Sequence, residues 1–131
     1  MQAFESLDST NNYLKKLAAE GAAEGTVVIA DEQTAGRGRM GRSFASAAGC
    51  GIYMSMLLRP ADCAPDCAQS LTAVCAVAVC RAVEKVCGRA PGIKWINDLY
   101  LRGKKICGIL CESLVKNGRV DYAVLGIGLN V

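Results

Sequence analysis

Two periodicities divide the chain. Residues 3–7 mix apolar and polar positions in a short extended stretch, and Asp8-Ser9-Thr10-Asn11 follows. Tyr13, Leu14, Leu17 and Ala18 then recur at spacings of three and four, which lines them up on one face of a helix. Ser9 or Thr10 suits the N-cap, because a side-chain oxygen there accepts a bond from a first-turn N–H that has no intrahelical partner. Gly21 or Gly25 ends the helix. The apolar run of residues 26–30 predicts a strand, and Gly51-Ile52-Tyr53-Met54-Ser55-Met56-Leu57-Leu58 predicts a second, buried one that Arg59-Pro60 closes. Between them, residues 31–42 predict a loop and the small residues of 43–51 a mobile connection. From Ala64-Pro65 a long helical pattern runs through Leu71, Val74, Cys75, Val77, Ala78, Ala82, Val83 and Val86, with Gly88 and Pro91 at its exit. So few polar residues interrupt it that it is expected to be the main hydrophobic helix on a sheet.

The remainder alternates with period two. Ile93-Lys94-Trp95-Ile96 predicts a short strand, Asn97-Asp98 a turn, and Leu99-Tyr100-Leu101 a strand leading into the tight turn Arg102-Gly103-Lys104-Lys105. Residues 106–112 and 121–130 predict two longer strands, with the Asn117-Gly118 hairpin signal between them. Consecutive strands joined by tight turns must pair antiparallel, and no helix fits between them. The expected class is therefore α+β, a mixed β-sheet with helices packed on it. The pattern stops at Asn130-Val131, at the end of a strand expected to be central, so residues 1–131 read as one domain shortened on its C-terminal side.

Composition narrows the setting. With 131 residues and 52% hydrophobic content the chain can bury a real core, and disorder is excluded. No apolar run is long enough to cross a bilayer and no signal-peptide pattern opens the chain, so a cytoplasmic protein without a membrane partner is expected. A net charge of +3 is too mild to argue for nucleic acid. The eight cysteines fall mostly inside apolar runs, without a C-x-x-C pair and without any histidine, so most are expected to be reduced, buried, small hydrophobes rather than zinc ligands.

Chemistry concentrates in residues 31–42, where Gly36-Arg37-Gly38-Arg39-Met40-Gly41-Arg42 sets a glycine beside each arginine. Glycine lets the backbone approach a ligand, and arginine presents a fork of donors that matches phosphate or carboxylate oxygens. An anion cradle, a solvated basic turn and a nucleic-acid tether all remain open on this loop alone. It is not a P-loop, and its formal G-x-G-x-x-G match opens no helix, so a dinucleotide fingerprint is excluded. Further polar groups sit at element ends: Ser9-Thr10-Asn11, Gln33, Lys94 with Asn97-Asp98, and Lys105. Arg37, Arg39, Lys94 and Lys105 together would make a cationic cleft suited to a polyphosphate. Asp98, with Glu112 as a second candidate, would hold Mg²⁺, which binds through one or two carboxylates plus phosphate oxygens.

Taken together, Ser9-Thr10-Asn11, Gln33 with Gly36-Arg37-Gly38-Arg39-Met40-Gly41-Arg42, Lys94-Trp95-Ile96-Asn97-Asp98, Lys105 with Gly108-Ile109-Leu110, and Gly126-Ile127-Gly128-Leu129-Asn130 resemble the catalytic domain of the biotin protein ligases, over nearly the whole chain. The resemblance implies a mixed sheet related to that of class II aminoacyl-tRNA synthetases. It implies biotin and ATP as substrates and Mg²⁺ as cofactor, with biotinyl-5′-AMP formed and then passed to a lysine of a biotin carboxyl carrier domain of acetyl-CoA carboxylase or another biotin-dependent carboxylase. Carried over by motif, Ser9, Thr10, Asn11 and Gln33 would hold the biotin ring, and Arg37, Gly38 and Arg39 would fold over its carboxylate and the phosphate. Lys105 would contact the reacting groups, with Lys94 and Gly108 completing the ligand-binding positions. Asn97 and Asp98 would serve nucleotide, metal or incoming lysine, and Asn130 the adenylate. Lys105, Arg39 and Asp98 are the expected catalytic residues.

The chain departs from the family pattern at Ile96, where proline is usual, and at Phe44, where tryptophan is frequent. Residues 1–131 are expected to hold neither the helix-turn-helix module nor the small C-terminal barrel of some relatives, so the repressor role is not expected of them. A homodimer is compatible with the resemblance. The rival readings are a lipoate or octanoyl ligase or transferase of the same fold, a truncated biotin-binding fold without activity, and a nucleic-acid module using Arg37, Arg39 and Arg42.

Overall fold

A computed structural model describes residues 1–60 and 63–131. Seven strands form one sheet: β1 (Gln2–Leu7), β2 (Val27–Gln33), β3 (Gly51–Leu58), β4 (Gly92–Lys94), β5 (Asp98–Leu101), β6 (Lys104–Lys116) and β7 (Arg119–Asn130). Their spatial order is β1-β2-β3-β7-β6-β5-β4. β1 and β2 are parallel, and every other neighbouring pair is antiparallel, which the short turns require for β4–β5, β5–β6 and β6–β7. The β5–β6 and β6–β7 turns each place two residues at positive φ, Arg102-Gly103 and Asn117-Gly118. This is the geometry whose twist matches that of the flanking strands.

Two helices cover opposite faces of this sheet. α1 (Thr10–Ala19) starts at the N-cap Ser9, whose side chain accepts from the Asn12 N–H. Its apolar stripe, Leu14 and Ala18, packs with Val28, Leu57, Tyr122 and Val124. α2 (Cys67–Cys87) packs through Cys75 and Ala76 on Leu99, Cys107, Ile109 and Leu125, with Leu58 and Ile127 beside them. Leu57 and Leu58 are neighbours on β3, as are Val124 and Leu125 on β7. Successive side chains of a strand point to opposite faces, so the two clusters lie on opposite sides of the sheet.

Several boundaries differ from expectation. β2 continues through Asp31-Glu32-Gln33, residues read as loop, because Leu7 and Glu32 still find partners along β1–β2. Trp95 and Ile96 fall in the turn of residues 95–97 rather than in a strand, the peptide between them is cis, and Asp98 opens β5. α2 begins at Cys67, not at Ala64-Pro65, and Cys63 is joined to Cys67 by a disulfide, so this pair is not the reduced thiol expected. α2 also buries less than its composition promised: Val74 is 68% and Val86 84% exposed, because its apolar residues surround the helix while the sheet touches one side. The small-residue segment 43–51 is pinned rather than loose. Phe44 N–H donates to Gly36 O, Gln33 N–H to Ser46 O and Tyr53 Oη to Ala47 O. Small side chains there permit close backbone approach. Among the described residues, no helix is long and apolar enough to cross a membrane.

Candidate functional site

The site lies on the α1 side of the sheet, beyond the N-terminus of α1. There β6 and β7 present Gly108, Leu110 and Glu112 beside Gly126 and Gly128, with Gly108 opposite Gly128 and Leu110 opposite Gly126. The result is a patch of bare backbone. It has been left bare for two neighbours: a Cβ on Gly128 would collide with the Phe44 ring, and one on Gly126 with the Asn11 side chain. Ser9, Thr10, Asn11, Gln33, Arg37, Phe44 and Leu110 wall a pocket over this floor, which has about 30 Å³ of room with Phe44 seated on the glycines. It adjoins a wider cleft of about 240 Å³ lined by Arg37, Gly38, Arg39, Asn97, Asp98, Lys105 and Gly108.

A buried polar chain runs behind the pocket. Asn11 Nδ2 donates to Glu112 Oε2 at 2.9 Å and lies 3.4 Å from Leu110 O, while Asn11 Oδ1 accepts from Ser55 Oγ at 2.6 Å. Ser55 Oγ is 2.8 Å from Thr10 Oγ1, which is 3.0 Å from Gln33 Oε1. Thr10 N–H also donates to Gln33 Oε1 at 2.9 Å, and Gln33 Nε2 donates to Ser46 Oγ at 2.9 Å. Each hydroxyl carries one proton, and Asn11 Oδ1 and Gln33 Oε1 only accept. Every acceptor receives a proton if the Thr10 amide serves Gln33, the Thr10 hydroxyl serves Ser55 and the Ser55 hydroxyl serves Asn11. That leaves a Thr10 lone pair and a second Gln33 amide proton for a ligand. No buried side-chain nitrogen or oxygen among the described residues lacks a partner.

The neighbouring cleft gathers charge. Lys105 Nζ lies 2.8 Å from Asp98 Oδ1, which also accepts from Asn97 Nδ2 at 2.9 Å. Arg39 Nη1 donates to Asn97 Oδ1 at 2.9 Å, and Arg37 Nη1 reaches Asn12 Oδ1 at 2.9 Å and Glu112 Oε1 at 3.1 Å. Lys15 Nζ is 3.0 Å from the same Glu112 oxygen. Burial on its own would raise the Glu112 pKa, but the bonds from Asn11 and Lys15 and the charges of Lys15 and Arg37 outweigh it and hold it low. Arg37 and Arg39 thus fold onto polar partners of the site, which a solvated tether would not require. Met40, at the loop tip with φ 56°, is 92% exposed.

Ser9, Thr10, Asn11, Gln33, Arg37, Gly38, Arg39, Asn97, Asp98, Lys105 and Gly108 all line this continuous pocket and cleft. Lys94 and Asn130 do not. Lys94 sits on the edge strand β4 with its ammonium 5.6 Å from the Tyr100 ring centre, and Asn130 is an exposed residue at the end of β7. Glu112 is occupied by Asn11, Lys15 and Arg37 rather than paired with Asp98, and no cluster of three metal-ligating side chains occurs among the described residues. Sequence reasoning passed over Ser55 and Ser46. Ser55 is fully buried in the otherwise apolar run Met54-Ser55-Met56-Leu57, and a lone hydroxyl in such a run signals a partner. The thiols divide: Cys75 and Cys107 are buried, but Cys50 and Cys87 are exposed, against the expectation of general burial.

Residues 3–130 match the family described as biotin/lipoate A/B protein ligase. The bifunctional ligase/repressor BirA of Bacillus subtilis is 46% identical over 125 residues, covering 95% of this chain and 38% of that protein. A biotin--[acetyl-CoA-carboxylase] ligase of Mycobacterium tuberculosis is 40% identical over 127 residues, covering 94% of this chain and 46% of the relative. Among solved structures, the biotin protein ligase of Leishmania major in complex with biotinyl-5-AMP superposes with a TM-score of 0.84 at 30% identity, over 99% of this chain and 56% of that one. That of Aquifex aeolicus in complex with biotin and ATP gives 0.81 at 37% identity, over 98% of this chain and 51% of that one. The chain therefore spans less than half the length of these two curated relatives.

Proposed function

The chain belongs to the biotin/lipoate A/B protein ligase family and has the class II aminoacyl-tRNA synthetase-like catalytic fold of the biotin protein ligases, and from that premise we propose that it activates biotin with ATP and delivers it to a protein lysine. The observation that carries this reading is the joining of two unlike spaces. A glycine-floored pocket with hydroxyl acceptors and an amide donor opens into a cleft holding Arg37, Arg39 and Lys105. A cyclic urea offers two N–H donors and one carbonyl acceptor, which the Thr10 lone pair and the second Gln33 amide proton would meet. A dithiolane ring offers neither, so the pocket favours biotin over lipoate.

Biotin's carboxylate attacks the α-phosphorus of ATP, forming a mixed anhydride and releasing pyrophosphate. Both reactants are anionic, so cations at the junction lower the barrier, and their aligned placement supplies the rest. Lys105 and Arg39 take that role, with Asn97 orienting Arg39 and Asp98 holding Lys105. In the second step an uncharged lysine amine attacks the acyl carbon and AMP leaves. Asp98 is then placed to accept the amine's proton as Lys105 shifts its contact to phosphate. Mg²⁺ arriving with the triphosphate would screen its charge. Asp98 fits it as one carboxylate beside phosphate oxygens, not as a preformed cage.

The acceptor of this reading is a lysine of the biotin carboxyl carrier domain of a biotin-dependent carboxylase, which relatives named as ligases of acetyl-CoA carboxylase support. The test is incubation with ATP and either biotin or lipoate, followed by detection of the acyl-adenylate. Biotinyl-AMP is expected. Adenylation of lipoate alone would replace the reading, and equilibrium biotin binding without pyrophosphate exchange would reduce the chain to a binding fold.

A further inference from the structure

We infer that Glu112 is a positioning residue of the biotin pocket, which holds the Asn11 amide in one of its two orientations and ties Arg37 of the covering loop to the floor of the site. The inference rests on the biotin reading and adds a residue that lines neither the pocket nor the cleft.

An asparagine amide has two ends of nearly the same shape, so its neighbours decide which way it faces. At Asn11 one neighbour settles the matter. Ionised Glu112 can only accept, and its Oε2 lies 2.9 Å from the amide nitrogen. Turned round, Asn11 would set its oxygen against a carboxylate, and its nitrogen would face Ser55. With Nδ2 on Glu112, Oδ1 accepts the single Ser55 proton, so Ser55 has none left for Thr10, and the Thr10 hydroxyl must donate, to Gln33 Oε1 or to Ser55, while keeping a lone pair for the pocket. The charge of Glu112 therefore sets the donor and acceptor pattern of Thr10 through two relays. Gly126 is part of the same device, because any side chain there would displace Asn11.

The other oxygen of Glu112 holds the lid. Arg37 Nη1 at 3.1 Å and Lys15 Nζ at 3.0 Å converge on Oε1. Lys15 stands one helical turn after Asn11 on α1, so helix and loop are fastened to the same point of β6. An exposed ion pair would contribute little, but Glu112 has 21% of its side chain accessible and makes a hydrogen bond to the buried Asn11 as well.

The test compares the full chain with Glu112→Gln, reading biotin dissociation constant, pyrophosphate exchange at saturating biotin, thermal midpoint and the Asn11 side-chain amide signals of isotope-labelled protein. Glutamine keeps the size but carries an amide that can present either end. The expected result is a biotin dissociation constant raised roughly tenfold, the size of one lost charge-assisted bond, with exchange at saturation retained within about threefold. The Asn11 amide signals, one set in the parent, should broaden or double. Asn11→Asp alone opposes two carboxylates and should bind biotin worse than the Asn11→Asp/Glu112→Gln pair, in which the new amide can donate to the new carboxylate. Affinity within about twofold of the parent, a loss that only follows a lowered thermal midpoint, or an unchanged Asn11 signal would each overturn the inference. A parent chain that does not bind biotin, with Asn11 signals that still respond to Glu112→Gln, would remove the biotin reading and leave the amide orientation standing.

Discussion

β6 and β7 show two different faces built from alternate residues of the same strands. Toward α2 they present Cys107, Ile109 and Cys111 with Leu125, Ile127 and Leu129, which close up against one another as core. Toward α1 they present Gly108 and Leu110 with Gly126 and Gly128, which leave room, and Glu112 beyond them, which Asn11, Lys15 and Arg37 occupy. The first face works by filling space and the second by withholding side chains from it. Because the strand period is two, the same twelve-residue strand β7 can do both without compromise. Polar groups follow the same division. The Glu112–Asn11–Ser55–Thr10–Gln33 chain lies wholly on the α1 side, and the α2 side carries buried thiols instead.

The largest effect that would separate the faces is loss of Lys105. Its side chain is 38% exposed and its ammonium pairs with Asp98, so its removal should leave the core intact. Lys105→Ala is expected to reduce biotin-dependent pyrophosphate exchange by about a hundredfold or more, the scale of removing one donor aimed at transition-state charge. A variant with parental exchange would show that the chemistry is not done in this cleft.

Next come paired substitutions on opposite faces. Gly126→Ala should force Asn11 from its seat, raising the biotin dissociation constant at least about tenfold and destabilising the fold by about 1–3 kcal/mol through overpacking. Cys107→Ala, on the other side of the sheet and fully buried, should lose about 1–2 kcal/mol of stability to a small cavity and leave biotin affinity unchanged. Thermal midpoints and titrations on the same two preparations decide it. Affinity loss in Cys107→Ala equal to that in Gly126→Ala would mean the faces are coupled and the comparison fails.

How much of this was legible in the sequence depends on which face is asked about. The α2 face could be read from its apolar runs, and the sheet class followed from Asn117-Gly118 and Arg102-Gly103, since two-residue turns leave only antiparallel pairing. The α1 face was legible as motifs but not as a network. Ser9-Thr10-Asn11 could equally be a helix cap, and Ser9 does cap α1, while Thr10 and Asn11 in the first turn carry the polar chain. Ser55 went unnoticed because strand patterning counts one serine as noise. Lys94 was grouped with the cleft by its charge and motif, yet the Trp95–Asn97 turn leaves it on an edge strand beside Tyr100. The small residues of 43–51 were taken for mobility because composition does not reveal hydrogen bonds such as Gly49 N–H to Asp31.

Thiol labelling at neutral pH provides a gentler contrast. Burial pushes the Cys107 thiol up to about 12 and those of Cys75 and Cys111 up to about 11, so thiolate, the reactive form, is scarce there. Exposed Cys50 and Cys87 should alkylate first, with Cys75, Cys107 and Cys111 modified only on unfolding, as read by peptide mass mapping. Rapid labelling of Cys107 in folded protein would contradict the packed α2 face.

The smallest effect expected is at the acid end, and it belongs to the α1 face. Burial tends to raise the Glu112 pKa, but the bonds from Asn11 and Lys15 and the Lys15 and Arg37 charges bring it below the ordinary 4.5. A depressed folded value means the folded state prefers the ionised form. Its contribution to stability is then complete above 4.5 and is lost as pH falls through the lower folded value. The alkaline end is the mirror case. The raised thiols of the α2 face leave stability intact below 9.0 and erode it as pH climbs towards about 11 and 12. Glu112→Gln should therefore weaken the acid limb of the thermal-midpoint profile and leave the alkaline limb in place, whereas Cys107→Ala should make the alkaline limb shallower, with Cys75 and Cys111 still contributing, and leave the acid limb in place. Asp8, held low by the Ser9 amide, Asn12 and Lys16 against the upward pull of burial, loses its contribution over the same acid range, so the acid limb of Glu112→Gln should be shallower rather than flat. An acid limb identical to the parent's would mean that Arg37 and Lys15 gain nothing from the charge on Glu112, and that the α1 face is held by its hydroxyls and glycines alone.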